Sequence, residues 1–150
     1  MICASVLKCG SMLNDSHMEE LKAIGFYVPD ANRIKKTKCD TEGIRYDIYL
    51  NSPEKHNPEQ VLNNICQSAQ EQGWMMPDPF DYDVWRELLS MMSEPIPAIQ
   101  KIENATYEAY ISAYPLSAES IADDKPLGVE SIFIIITHKE QRGECDAVRL

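Results

Sequence analysis

The chain has 150 residues, 44% of them hydrophobic and 25% charged, with a formal net charge of −10 and a pI near 4.7. That length suits one domain, residues 1–150, long enough to bury a real core. The acidity argues against free nucleic acid or an anionic membrane surface as ligand, because both are held by Lys and Arg. The charge is also unevenly placed. Residues 56–130 hold thirteen acids and three bases (Arg86, Lys101 and Lys125), and the segments on either side are balanced.

Taken in chain order, Ile2–Lys8 reads as a short strand or a loose arm. It is shorter than the apolar region of a secretory signal, and no run approaches the ~20 apolar residues of a membrane span. A cytoplasmic protein is the default expectation, with export as the alternative if the natural chain starts further upstream. Ser16-His17-Met18-Glu19 has the capping-box pattern and Gly25 supplies a stop, which predicts a short helix over 17–24 with Met18, Leu21 and Ile24 as its stripe. Residues 34–39 and 44–50 flank Asp40-Thr41-Glu42-Gly43 and predict a hairpin. In its second strand Ile44, Tyr46, Ile48 and Leu50 share one face, and Arg45, Asp47 and Tyr49 the other. Lys35, Lys36 and Lys38 mark the first strand as an edge, where lysines discourage further pairing.

The next element is the clearest. Asn57 is a good N-cap, Pro58 fits the first helical position, and Val61, Leu62, Ile65, Cys66 and Ala69 recur at spacings of three and four, predicting a helix over 58–72 that Gly73 ends. The prolines of Trp74-Met75-Met76-Pro77-Asp78-Pro79-Phe80 forbid regular helix. Asp81 then caps a second helix over 82–93, with Trp85, Leu88, Leu89 and Met92 on one side. Residues 105–114 read as a strand and 117–128 as a polar, acidic excursion. Residues 129–137, with five consecutive apolar positions from Ile132 to Ile136, read as a central strand covered on both faces. After Arg142 a frayed tail is expected. These elements predict an α+β fold: an antiparallel sheet of four to five strands, with two or three helices packed mainly on one face. The expected core holds Val61, Leu62, Ile65, Leu88, Ile132, Ile134 and Ile136.

No arrangement for chemistry emerges. His17 and His56 are expected to face solvent and His138 to end a strand. Zinc spacings such as Cys-x-x-Cys or His-Glu-x-x-His are absent, so neither a metal nor a cofactor is expected. His138 and Cys145 are close in sequence but lack an elbow motif, and glycine-rich phosphate loops are absent. Asp81 with Asp83, and Asp123 with Asp124, read as a helix cap and a solvated rim, not as paired acid–base groups. Asn104-Ala105-Thr106 matches a glycosylation sequon, read here as chance.

The segment from Trp74 to Trp85 concentrates aromatic, Met and Asp residues. It either fills the core between two helices or forms an interface with an acidic rim. The interface reading selects Asp78, Phe80, Asp81, Tyr82, Asp83 and Glu87 as partner-binding residues. The expected function is a non-catalytic acidic binding protein, of the inhibitor or immunity type made by bacteria or phages. Its basic protein partner would be a nuclease toxin or a nucleic-acid-binding enzyme. The alternatives are a ligand-binding domain or enzyme with a pocket lined by Tyr46, Tyr107, Tyr110 and Trp85, and a component that self-associates through a strand edge.

The five cysteines, Cys3, Cys9, Cys39, Cys66 and Cys145, are odd in number and lack framework spacing, so free thiols are expected. One bridge, Cys39 to Cys66, is the alternative in an oxidising compartment. Thiol titration of the denatured, unreduced protein should find all five cysteines reactive. Recovery of about three, with melting on reduction, would overturn the free-thiol reading.

Overall fold

The computed structural model describes residues 14–39, 43–91, 95–116 and 128–139. The expected N-terminal strand or arm, the acidic excursion after Ser117 and the C-terminal tail lie outside the described residues. Helix α1 (Asn14–Ile24) leads into strands β1 (Ala31–Cys39) and β2 (Gly43–Leu50). After a 3-10 turn (Pro53–Lys55) come α2 (Pro58–Glu71) and α3 (Tyr82–Met91), then β3 (Ala98–Glu103), β4 (Tyr107–Pro115) and β5 (Val129–His138). The five strands form one sheet in the order β1-β2-β5-β4-β3, with every neighbouring pair antiparallel. The predicted α+β class and antiparallel sheet are therefore present, and β1 lies at an edge as its lysines implied.

One sheet face is set by alternation. Across three strands, Tyr46, Ile134 and Ile111 stand side by side, as do Ile48, Ile132 and Ala113. All six are buried and join Leu21 of α1, Leu62, Ile65, Cys66 and Ala69 of α2, and Trp85 and Leu89 of α3 in a single core cluster. Helix α2 lies against β3 and β4. Ala109 and Ala113 on β4 and Ala69 on α2 are all fully buried, and their small side chains leave room for helix and sheet to approach closely. Val61 is only half-buried, at the margin of this core.

β5 is central in the sheet, but it is not sealed on both faces. Phe133 and Ile135 are half-buried, and the Arg45 guanidinium lies 4.3 Å from the centre of the Phe133 ring. Hydrogen-bonded neighbours on both sides and a cation stacked on the ring cover this face in part, which suits an unbroken apolar run.

Three local readings change. Helix α1 begins at Asn14, so Ser16 lies inside the helix and is not its cap. His17 is buried, not solvent-facing, its Nδ1 3.3 Å from a Glu20 oxygen. Glu20 also accepts from Lys36 Nζ at 3.1 Å and from the Tyr46 hydroxyl at 3.2 Å. Burial works against the Glu20 charge, but hydrogen bonds from Lys36, His17 and Tyr46 outweigh it and hold its pKa below the ordinary value. Lastly, the sequence pattern does not announce β3. Its inward positions are Ala98, Gln100 and Ile102, and a small residue and a polar one blunt the alternation that marks a strand.

Other signals hold. Asn57 Oδ1 accepts from Glu59 N at 3.0 Å, with Pro58 at the first position of α2. Gly43 opens β2 at φ +93°, and a Cβ there would collide with the Ile136 carbonyl oxygen, so glycine lets the hairpin close against β5. Asn104 Oδ1 accepts from Thr106 N and Tyr107 N at 2.9 and 2.7 Å; the sequon asparagine thus organises the β3–β4 turn. Cys66 is a buried free thiol, and burial pushes its pKa up to about 11; the side chain of Cys39 lies outside the described residues.

Asp30 fastens the start of β1 to the chain leaving β2. Its Oδ2 accepts from Ser52 N at 3.1 Å and lies 2.6 Å from His56 Nε2. The His56 hydrogen bond, aided by Ser52, holds the Asp30 pKa below the ordinary aspartate value. A carboxylate depressed on folding adds stability above its unfolded pKa and loses it as pH falls through the folded value. Asp30→Asn should cost about 1 kcal/mol near pH 6, and the gap should close toward pH 2. Urea denaturation of both proteins across that range checks this; a gap independent of pH would contradict it.

Candidate functional site

The segment selected from the sequence is built onto the sheet edge by backbone and one buried amide. Met75 makes an isolated antiparallel bridge with Glu103, with N–O distances of 2.6 and 2.9 Å, which covers part of the exposed β3 edge. Gln100, 2% exposed, accepts from Phe80 N through Oε1 at 2.7 Å. Its Nε2 donates to the carbonyls of Asp78 at 3.0 Å and Lys101 at 2.8 Å. A buried amide must place its donors and acceptor on partners, and here those partners set the path of residues 78–80. Asp81 Oδ1 then accepts from Val84 N at 3.1 Å and caps α3, as predicted.

Both tryptophans belong to the core. Trp74 and Trp85 are each 3% exposed, with indole N–H groups donating to the carbonyls of Ile24 at 2.9 Å and Ile96 at 3.1 Å. Phe80 and Tyr82 are half-buried and pack against that core. Their rings meet edge-on at 5.1 Å, and Phe80 also meets Trp85 at 6.5 Å. The Tyr82 hydroxyl donates to Asn63 Oδ1 of α2 at 3.3 Å. Burial, with the Cys66 thiol nearby, pushes the Tyr82 pKa up to about 12. These aromatics mainly anchor α3 and present only part of their surface.

The four selected carboxylates, Asp78, Asp81, Asp83 and Glu87, are all exposed. Arg86 moderates their field: it pairs with Glu59 on α2 and lies 3.5 Å from Asp83. Next to them, in addition to the partly exposed Phe80 and Tyr82, lies a further apolar surface. Leu88, expected in the core, is 46% exposed, next to Val84 at 49% and Met91 at 74%. At 3.6 residues per turn these three fall within about 60° of arc, adjoining the arc of the buried Trp85 and Leu89. The apolar face of α3 is therefore roughly 160° wide, with only half of it in the core. Glu87 borders the exposed half on its outer side. The signal was present as the spacing of residues 84, 88 and 91, but a stripe predicts an apolar face without saying what covers it.

The residues named for the alternative pocket sit in different surroundings. Tyr46 and Trp85 lie in the core, whereas Tyr107 stands exposed at the start of β4 against the His138 ring. A shallow open cleft is lined by Val28, Leu50, Val61 and Ile65, with Asp30, His56 and Asn64 among its polar groups. Asp30 and His56 face each other there and stitch two loops together. Among the described residues no cluster of His, Cys, Asp and Glu could hold a metal ion, and no helix is long and apolar enough to cross a membrane. Comparison of the chain with protein families, curated proteins and solved structures finds no significant match.

Because Gln100 positions the approach to α3, Gln100→Leu should strand the Phe80 amide and the Asp78 carbonyl at a cost of about 1–3 kcal/mol. Amide exchange should accelerate at Phe80 more than at central β5 residues such as Ile134. Unchanged exchange at Phe80 would show that the amide does not hold this segment.

Proposed function

We propose that the chain is a non-catalytic acidic binding protein that engages a basic protein partner through the α3 end of the fold. The observation that carries this reading is the exposure of Asp78, Asp81, Asp83 and Glu87 together around a helix that also exposes apolar side chains. Interfaces pair an apolar centre with a polar rim, and like-signed rim charges speed encounter with a partner of opposite sign. The acids concentrated in residues 56–130 extend the same field. An inhibitor or immunity-type role, blocking a nuclease toxin or nucleic-acid-binding enzyme, is the form of this function in which the partner's own phosphate-binding surface is the target.

Asp78→Lys with Asp83→Lys tests the surface while leaving the Asp81 cap in place. Affinity capture from the native host at low salt should recover a basic protein with the unaltered chain and lose most of it with the double variant. The fold should shift by no more than ~0.5 kcal/mol, since both side chains are exposed. Equal recovery with both proteins at low and moderate salt would remove this segment from the interface.

A further inference from the structure

Helix α3 is ten residues long, about 15 Å by the rise of an α-helix. Along that length one apolar arc does two jobs. Trp85 and Leu89 enter the core, 3% and 0% exposed, whereas Val84, Leu88 and Met91 stay outside at 49%, 46% and 74%. Single exposed apolar residues are ordinary on any protein, but three in line on one helix form a stripe with the period of a helix contact. The stripe is continuous with the core at one side and bordered by Glu87 at the other, with Asp83 beyond it.

We propose, building on the acidic-binding reading above, that the exposed arc of α3 is a docking strip for a basic amphipathic helix of another protein. That helix would lay apolar side chains spaced i, i+4, i+7 against Val84, Leu88 and Met91 and turn Lys or Arg toward Glu87 and Asp83. A helix is the occupant that matches the spacing, because side-chain ridges of one helix seat between those of another. Its charge follows from the rim: an acidic segment would meet like charge there and across a chain of net charge −10. A second copy of this chain fits less well. Two equally acidic copies repel, and the α3 of a second copy would bring its own Asp83 and Glu87 against the same rim where Lys or Arg is needed.

The probe is a synthetic amphipathic peptide of about 18 residues, built of Leu and Lys so that Leu recurs every third and fourth position and Lys fills the other face. Two controls accompany it: a peptide of the same composition in an order that abolishes the stripe, and one with Glu replacing Lys. Affinities are read by fluorescence anisotropy at low and moderate salt, for the unaltered chain and for Leu88→Ser with Met91→Ser. Denaturation curves confirm that the variant folds. The striped Lys peptide should bind at least ten-fold more tightly than the reordered one, and the double variant should erase that difference while leaving the weaker, salt-sensitive binding of the reordered peptide unchanged.

Equal binding of the two Lys peptides would overturn the docking strip but leave the acidic-binding reading standing. No binding of either at low salt would overturn both. Equal binding of the Glu peptide would overturn the claim of charge complementarity. Concentration-dependent self-association in sedimentation, lost in the double variant, would assign the strip to a second copy and overturn the proposal.

Discussion

β5 holds the two halves of this sheet together. The β1–β2 hairpin and the β3–β4 pair have no ladder to each other; each pairs with residues 129–138 along one side. The alternation of Ile132, Ile134 and Ile136 therefore sets which face of both halves is buried, because a slip of one residue would turn all three outward together. Tyr46 and Ile48 on one side, and Ile111 and Ala113 on the other, keep the register that this requires. Gly43 is a consequence of the same constraint, since the hairpin must enter β2 where a Cβ would strike the backbone of Ile136.

The placement of α3 follows from the far edge of that sheet. β4 carries β3, β3 carries Gln100, and Gln100 holds the chain from Asp78 to Phe80. The aromatic contacts of Phe80, Tyr82 and Trp85 then seat the first turn of the helix, while Arg86 ties its polar side to Glu59 of α2. A helix fixed from one end and one side in this way can leave apolar residues outside the core without losing its position. Rigid presentation matters for binding, because the ordering cost is then met by folding and not at the moment of association.

Charge is organised at a different level from packing. The basic residues of β1 sit on an edge strand, where Lys36 joins Glu20 over the buried Tyr46 and Arg33 stacks on Tyr49 at 4.6 Å. The surplus acids fall in the segment that supplies α2, α3, β3 and β4. Local pairs such as Lys101 with Glu108, at 3.6 Å, neutralise some of them. The carboxylates at the start of α3 are exposed, so their effect on the core is small and their effect on an approaching partner is larger.

Much of this protein was determined by sequence alone. The Asn57-Pro58 start of α2, the hairpin alternation, the Asp81 cap, the edge lysines and the isoleucine strand are local patterns, and local patterns are decided by backbone chemistry and side-chain period. The tertiary structure decided what periodicity cannot: which of two apolar arcs a neighbouring element covers. It buried Trp74 and Trp85, took His17 inward beside Glu20, and left Leu88 outside although its spacing suits a core position. It also formed β3, whose Gln100 reads as polar surface in sequence and becomes a buried connector only when Asp78 and Phe80 are brought against it. The six candidate residues lie in one stretch of sequence, but which of them anchor α3 and which face solvent depends on contacts between distant segments. Sequence spacing describes one helix at a time, and burial is a property of pairs.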